Sequence, residues 1–219
     1  MPKFSHVIFD LDGTILDTLE DLADATNWVC AQHGWPRHPL EAYKGFVGNG
    51  AGKLLERVTP PTVELTPELR RTLMAEFSER YTAYSANKTR PYDGMPQTLA
   101  RLKAAGVTLG VLTNKPHEAA GPIVERYYPG IFDAVQGALP DVPLKPDPAA
   151  LFALMERLGA GREHTLFAGD SNVDIRTGKN GGLTACGVLW GFRTRAELEA
   201  EGADFIAERP EELAKLILS

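Results

Sequence analysis

The chain opens with His6-Val7-Ile8-Phe9, a short apolar, β-prone run with acidic residues directly behind it, which predicts a buried strand ending at Asp10. From Thr18 the apolar spacing becomes helical: Leu19, Leu22, Thr26, Val29 and Cys30 share one stripe, and Gly34 stands where the helix should stop. A second helix is predicted from about Gly50 to Val58. A third follows Thr66 as N-cap with Pro67 at its first position, and its stripe of Leu69, Leu73, Phe77, Tyr81 and Tyr84 puts both tyrosines in the core of this block. Residues 18–88 therefore read as all-helical.

After Pro91 the rhythm changes. Helices are predicted at Gln97–Ala105, from His117 toward Tyr127, at Pro148–Leu158 with Gly159 as cap, in a short piece ending at Gly181-Gly182, at Arg195–Glu201 and from Pro210. Strands alternate with them at Val107–Leu112, Ala134–Ala138, Thr165–Ala168, Ala185–Trp190 and Asp204–Ala207. The alternation implies an α/β fold: a doubly wound parallel sheet, Rossmann-like, with the helical block inserted after the first strand. In such open sheets ligands bind beyond the carboxyl ends of the strands, so a chemical motif is expected there.

Composition narrows the partners. Of 219 residues, 43% are hydrophobic and 24% charged, ordinary for a globular chain. A formal net charge of −6 with no basic run argues against nucleic acid as the main partner. No apolar stretch approaches the ~20 residues a membrane helix needs. The N-terminal stretch, broken by Asp10 and Asp12, resembles neither a signal peptide nor an anchor. Cys30 and Cys186 are too few for a disulfide framework and are expected to be buried apolar residues. A cytoplasmic protein is expected; its oligomeric state is not readable.

Three polar clusters follow predicted strands: Asp10-Leu11-Asp12-Gly13-Thr14, Thr113-Asn114-Lys115 and Gly169-Asp170-Ser171-Asn172-Val173-Asp174. A fourth, Lys145-Pro146-Asp147-Pro148, lies in the loop before a core helix. Each has a plain structural reading as a turn, a helix cap or loop punctuation. Together they supply carboxylates, hydroxyl and amide groups and a lysine, a set suited to a phosphoryl group held through a hard divalent cation. The five histidines show no metal-ligand spacing, and Trp190-Gly191-Phe192-Arg193 reads as core edge.

In these four ordered motifs the sequence resembles the haloacid dehalogenase superfamily, and within it the phosphoglycolate phosphatase-like branch. The resemblance implies a core of residues 1–16 and 91–219 and a helical cap of residues 17–90. It implies that Asp10 is the nucleophile that becomes an aspartyl-phosphate and that Asp12 is the general acid and base. Thr113 and Lys145 would grip the transferring phosphoryl, with Asn114, Gly13 and Thr14 completing its binding. Magnesium would be held by Asp10, Asp170 and the backbone carbonyl of Asp12, with Asp174 acting through a water or another ligand. The substrate would be a small phosphorylated metabolite.

A Val47-Gly48-Asn49-Gly50 string resembles the cap of phosphoglycolate phosphatases in particular, so Gly48, Asn49, Gly50 and Lys53 are candidate substrate contacts; the same glycines also suit a plain helix-entry turn. A nucleotide P-loop is excluded there because Val47 stands where a glycine is needed and Leu54 where Ser or Thr should follow the lysine. Sugar-phosphate mutases of the family carry a histidine where this chain has Glu20, and a phosphonatase would need a Schiff-base lysine, for which Lys53 is the candidate. A pyrophosphatase or a sugar or nucleoside monophosphatase would share the core motifs. Outside the family, a receiver-like phosphoacceptor or a non-catalytic binding protein would use the same sheet, but a receiver would lack the helical insert.

Overall fold

The computed structural model describes residues 2–219. In chain order the elements are β1 (His6–Phe9), β2 (Leu16–Asp17), α1 (Leu19–Gln32), α2 (Leu40–Phe46), α3 (Ala51–Val58), α4 (Pro67–Tyr84), β3 (Arg90–Pro91), α5 (Met95–Ala104) and β4 (Thr108–Pro116). There follow α6 (His117–Tyr127), β5 (Ala134–Ala138), α7 (Ala149–Leu158), β6 (Thr165–Gly169), α8 (Asn172–Asn180), β7 (Thr184–Val188), α9 (Arg195–Ala200), β8 (Phe205–Ala207) and α10 (Pro210–Leu218). They form two compact units, Met1–Asp17 with Pro91–Ser219, and Thr18–Arg90. No helix among the described residues is long and apolar enough to cross a membrane.

The larger unit is built on a six-stranded sheet in the order β5-β4-β1-β6-β7-β8, parallel throughout. The chain winds outward from β1 through β4 to β5, then returns to β6 on the other side of β1. The topological switch therefore lies beside β1, where an open α/β sheet leaves a crevice at its carboxyl edge. Strands buried on both faces are apolar without alternation, as in the Val7-Ile8-Phe9 run. Val7, Phe9, Leu109, Val111 and Leu166 pack on Met95, Leu99 and Leu102 of α5 and Leu213 and Ile217 of α10. Ile8, Leu112 and Phe167 face the other way, onto Leu151, Leu154 and Met155 of α7. Each large side chain so buried contributes roughly 1.5–3 kcal/mol relative to exposure, which holds β1 rigidly at the centre.

The predicted elements recur with end shifts of a few residues, and α2 is an addition: a seven-residue helix containing Gly45, too short and too interrupted to leave a periodic signal. Strand β4 runs beyond its expected end at Leu112 to Pro116, with a register irregularity between Leu112 and Pro116. The expected caps are present, with the Leu69 N–H donating to Thr66 Oγ1 at 3.2 Å and Gly159 in the left-handed region at φ 63°.

In the smaller unit α1 packs against α4, and α2 and α3 against both α1 and each other. Asn27 pins the turn into α2: its Nδ2 donates to the His38 carbonyl at 3.0 Å, and its Oδ1 accepts from the His38 N–H and the Tyr43 hydroxyl. Tyr81 is buried and stacks on Phe77 at 5.5 Å between ring centroids. Tyr84 is not core as expected: it is 47% exposed, its ring covered by the Arg80 guanidinium 3.8 Å from the centroid, a cation–π contact that suits a surface position at the last turn of α4.

The buried Asp21 carboxylate ties the two ends of this unit together. It accepts from the backbone N–H groups of Lys88 and Thr89 at 3.1 and 2.8 Å and from the Thr89 hydroxyl at 2.7 Å. Replacing it leaves buried donors without a partner, which costs about 1–3 kcal/mol per group. Asp21→Ala is expected to lower the Tm by roughly 4–10 °C in a thermal melt, and Asp21→Asn by less. An unchanged Tm in both would show that water replaces the carboxylate without loss.

Candidate active site

Three adjacent strands deliver the polar clusters to one edge of the sheet. Strand β1 ends at Phe9, and the Asp10 N–H extends its ladder by donating to the Ala168 carbonyl at 2.9 Å, so the backbone carrying the Asp10 carboxylate is fixed by the sheet. Strand β6 ends at Gly169 and hands Asp170 and Ser171 to the start of α8. Thr113, Asn114 and Lys115 occupy the irregular last part of β4. Asp12 and Asn172 are half-buried, and the other residues of these three clusters are buried.

Carboxylate oxygens of Asp10, Asp170 and Asp174 lie within 4.8 Å of one another. Lys145 enters from the loop before α7 and its Nζ bridges two of them, donating to Asp10 Oδ1 at 2.8 Å and Asp174 Oδ1 at 2.7 Å, and to the Leu112 carbonyl at 3.0 Å. Asp170 instead takes neutral donors: the Thr14 hydroxyl at 3.2 Å and the Phe192 N–H at 2.7 Å. Asp174 Oδ2 accepts from the Ser171 N–H at 3.0 Å and hydroxyl at 2.6 Å, closing a capping box on α8. The helix-cap reading of this string therefore holds, and the capping carboxylate is also a member of the buried cluster.

The electrostatics of this arrangement are unbalanced. Burial first, then the charge of Asp174, raise the Asp10 carboxyl well above the ordinary range despite Lys145. Burial and Asp174 likewise push Asp170 up to about 7, against the Phe192 N–H, Arg193 and the Thr14 hydroxyl. Burial disfavours the Lys145 cation, but Asp10 and Asp174 outweigh it and hold the lysine charged. Buried carboxylates forced toward protonation, gathered around one point and offering oxygen alone, fit a hard divalent cation, whose charge would let them ionise together.

Glycines make the close approach possible. Gly13, at φ +89°, lies against Asp170 so tightly that a Cβ there would collide with its carboxylate. Gly169 is pressed in the same way on Asp174, and Gly191 on Asp170 and the Gly13 carbonyl. Trp190 Nε1 donates to the Thr14 carbonyl at 2.8 Å. The segment Trp190–Arg193, read from sequence as core edge, is therefore built into the site; a backbone N–H leaves no residue-type signal that could have revealed it.

The other candidates separate by partner. The Gly13 N–H donates to the Leu16 carbonyl at 2.9 Å and the Thr14 N–H to Leu11 at 3.2 Å, so both amides close the turn. Asn114 pairs with both backbone groups of Lys145, its Nδ2 donating to the carbonyl at 3.1 Å and its Oδ1 accepting from the N–H at 2.8 Å, which anchors the loop that carries the lysine. Thr113 Oγ1 accepts from the Lys115 N–H at 3.1 Å. Asp12, two residues from Asp10, lies outside the carboxylate cluster and pairs with Lys115 at 3.0 and 3.2 Å.

Gly48, Asn49, Gly50 and Lys53 belong to the Thr18–Arg90 unit. Gly48 and Gly50 have φ of 118° and 82°. Asn49 Oδ1 accepts from Arg57 Nη2 at 2.8 Å while Arg57 Nη1 donates to the Phe46 carbonyl at 2.7 Å, so this loop is braced rather than slack. Arg57 carried no sequence signal. Lys53 is exposed and paired with Glu56 on its own helix.

The profile of the haloacid dehalogenase-like hydrolase family matches residues 7–188. The chain belongs to that family. It is 35% identical over 219 residues to an N-acetylmuramic acid 6-phosphate phosphatase of Pseudomonas aeruginosa, covering 98% of this chain and 95% of the relative. It is 33% identical over 206 residues to a phosphoglycolate phosphatase of Pseudomonas putida, covering 92% and 75%. A candidate phosphoglycolate phosphatase from Lactobacillus delbrueckii subsp. bulgaricus has a crystal structure similar to this one at a TM-score of 0.91, with 31% identity over 99% of each chain.

The raised Asp170 carboxyl sets a pH dependence for the metal-free protein of this hydrolase family. Its folded pKa of about 7 exceeds an unfolded value of ~3.9, so the folded state holds the extra proton and stability falls as pH rises between the two. In chelator, the Tm is expected to drop across that window more steeply in the native protein than in Asp170→Asn. Added divalent cation should raise the native Tm at pH 7 and leave the variant nearly unmoved. Equal cation responses in both would show that Asp170 holds no cation.

Proposed function

We propose that the chain is a magnesium-dependent phosphatase of small phosphate monoesters, with 2-phosphoglycolate as its first substrate, acting through an aspartyl-phosphate on Asp10. The supporting observation is the division of labour at the strand end. Asp10 sits among carboxylates and beside Lys145, whereas Asp12 stands apart with a lysine of its own. A nucleophile must stay ionised and next to cationic charge; an acid–base group must reach the leaving oxygen from outside that cluster.

In this reading Asp10 attacks phosphorus and the leaving oxygen departs with a proton from Asp12, which then takes a proton from the water that hydrolyses the acyl phosphate. Lys145 and Thr113 hold the non-bridging oxygens, and Asn114 fixes the Lys145 loop. Asp10, Asp170 and the Asp12 carbonyl are the residues that would hold magnesium, with Asp174 behind them. Bound there, the ion supplies positive charge that ionises the carboxylates and offsets the developing negative charge on the phosphoryl. Gly13 and Thr14 then serve by seating Asp170 more than by touching substrate. The Thr18–Arg90 unit is the proposed substrate-selecting cap, with Gly48, Asn49, Gly50 and Lys53 as the residues that read the substrate. A cytoplasmic setting fits the free, buried thiols of Cys30 and Cys186.

A second reading has one specific support: the 35% identical relative is named for N-acetylmuramic acid 6-phosphate. Both named substrates are phosphate esters of hydroxy compounds that also carry a carboxylate, so the panel that tests the function must include both.

Phosphate release should be measured on 2-phosphoglycolate, N-acetylmuramic acid 6-phosphate, pyrophosphate and sugar and nucleoside monophosphates, with magnesium and with chelator. Phosphoglycolate is expected to lead in kcat/KM and to be silenced by chelation, and Asp10→Asn to lose roughly 10³-fold or more in kcat with an intact fold. A different leading ester would replace the substrate and leave the mechanism standing; an active Asp10→Asn variant would end the mechanism.

A further inference from the structure

The least expected contact of the site is that between Lys115 and Asp12. Both Asp12 oxygens accept from Lys115 Nζ, at 3.0 and 3.2 Å, and the side-chain exposures are 4% for the lysine and 13% for the aspartate. A lysine so withdrawn from water is not a solvated surface cation. It has lost hydration and side-chain freedom in taking up this ion pair.

The backbone explains how it gets there. In an unbroken strand Thr113 and Lys115 would share one face with Asn114 on the other. Here the register of β4 against β5 shifts between Leu112 and Pro116, and the Lys115 N–H turns to Thr113 Oγ1. Bulges of this kind re-aim side chains beside active sites. The irregularity sends Asn114 to the Lys145 loop and Lys115 to Asp12, so one short segment positions both the phosphoryl-side lysine and the acid–base carboxylate.

We propose that Lys115 is a positioning residue that holds the Asp12 carboxylate outside the Asp10, Asp170 and Asp174 cluster and aimed at the leaving oxygen. The proposal rests on the phosphatase reading above. Without that partner the short Asp12 side chain would turn either toward the cationic centre or out into water. The two-point bond to Lys115 prevents both. Lys115 itself transfers no proton and touches no phosphoryl oxygen in this scheme, which separates it from Lys145.

The separation is measurable through the leaving group. An alkyl monophosphate needs its departing oxygen protonated, whereas p-nitrophenyl phosphate releases p-nitrophenolate, a stable anion that leaves without a proton, and kcat/KM reports the step that forms the aspartyl-phosphate. Lys115→Met is expected to lose about 100-fold in kcat/KM on the preferred alkyl monophosphate and less than about tenfold on p-nitrophenyl phosphate. Its KM should change little. In an Asp12→Asn background the same change should cost no further activity, because the residue it positions is already gone. Lys115→Gln, which keeps a donor and relieves the buried charge, serves for the same comparison should the Met variant fail to fold. Equal losses on the two esters, an additive loss in the double variant, or no loss at all would overturn the proposal. Turnover that survives Asp12→Asn with Lys115 intact would instead overturn the phosphatase scheme itself, and the proposal with it.

Discussion

Three buried carboxylates set against one bridging lysine are the interaction on which the rest of the larger unit depends. Like charges within a few ångströms repel strongly where water cannot screen them, so such a group persists only if the scaffold over-determines it. The scaffold does so with its stiffest parts. Asp10 hangs from the central strand, Asp170 from the neighbouring one, and Asp174 from the first turn of α8, locked by its capping box. The apolar layers on both faces of β1 thus hold the carboxylates against their own repulsion, and the raised Asp10 and Asp170 carboxyls record that unfavourable work.

Holding the charges is half of the problem; the other half is space. Gly13, Gly169 and Gly191 come from three separate segments and all give up a side chain at contacts with Asp170 or Asp174. Gly13 alone among them requires a left-handed backbone; the other two are glycine because a neighbour's carboxylate occupies the Cβ position. The same crowding orients the acceptors. With Thr14 and the Phe192 N–H on one carboxylate and Ser171 on another, each oxygen is directed before any ligand arrives. Preorganisation of this sort is how a site stabilises charge without reorganising during reaction.

Much of this was legible in the sequence because it is carried by periodicity and by residue type. The β1 run, the alternation after Pro91 and the caps at Thr66 and Gly159 each have a local cause, and the structure repeats them. The carboxylates of the cluster were all readable as polar residues stranded beyond apolar runs. What escaped has a common physical origin. Helix α2 is too short for a period to emerge, and Tyr84 falls on the stripe of α4 by spacing yet ends against Arg80 at the surface. The Phe192 N–H, the Arg57 brace and the Lys115–Asp12 pair depend on tertiary approach: a main-chain donor has no letter, and Lys115 lies 103 positions from its partner.

Asp10 and Asp12 show why such approach decides chemistry. Two identical residues two positions apart both follow the end of β1 in one short segment. Their partners then diverge: one is drawn into a dry carboxylate cluster bridged by Lys145, the other is turned away to a single lysine at the edge of solvent. The roles proposed for them, nucleophile and acid–base group, call for this asymmetry, since a shared environment would leave nothing to tell the two carboxylates apart. The asymmetry is not written in the Asp-Leu-Asp string. It comes from which lysine each carboxylate meets, and so from the bulge in β4 and the loop that Asn114 anchors.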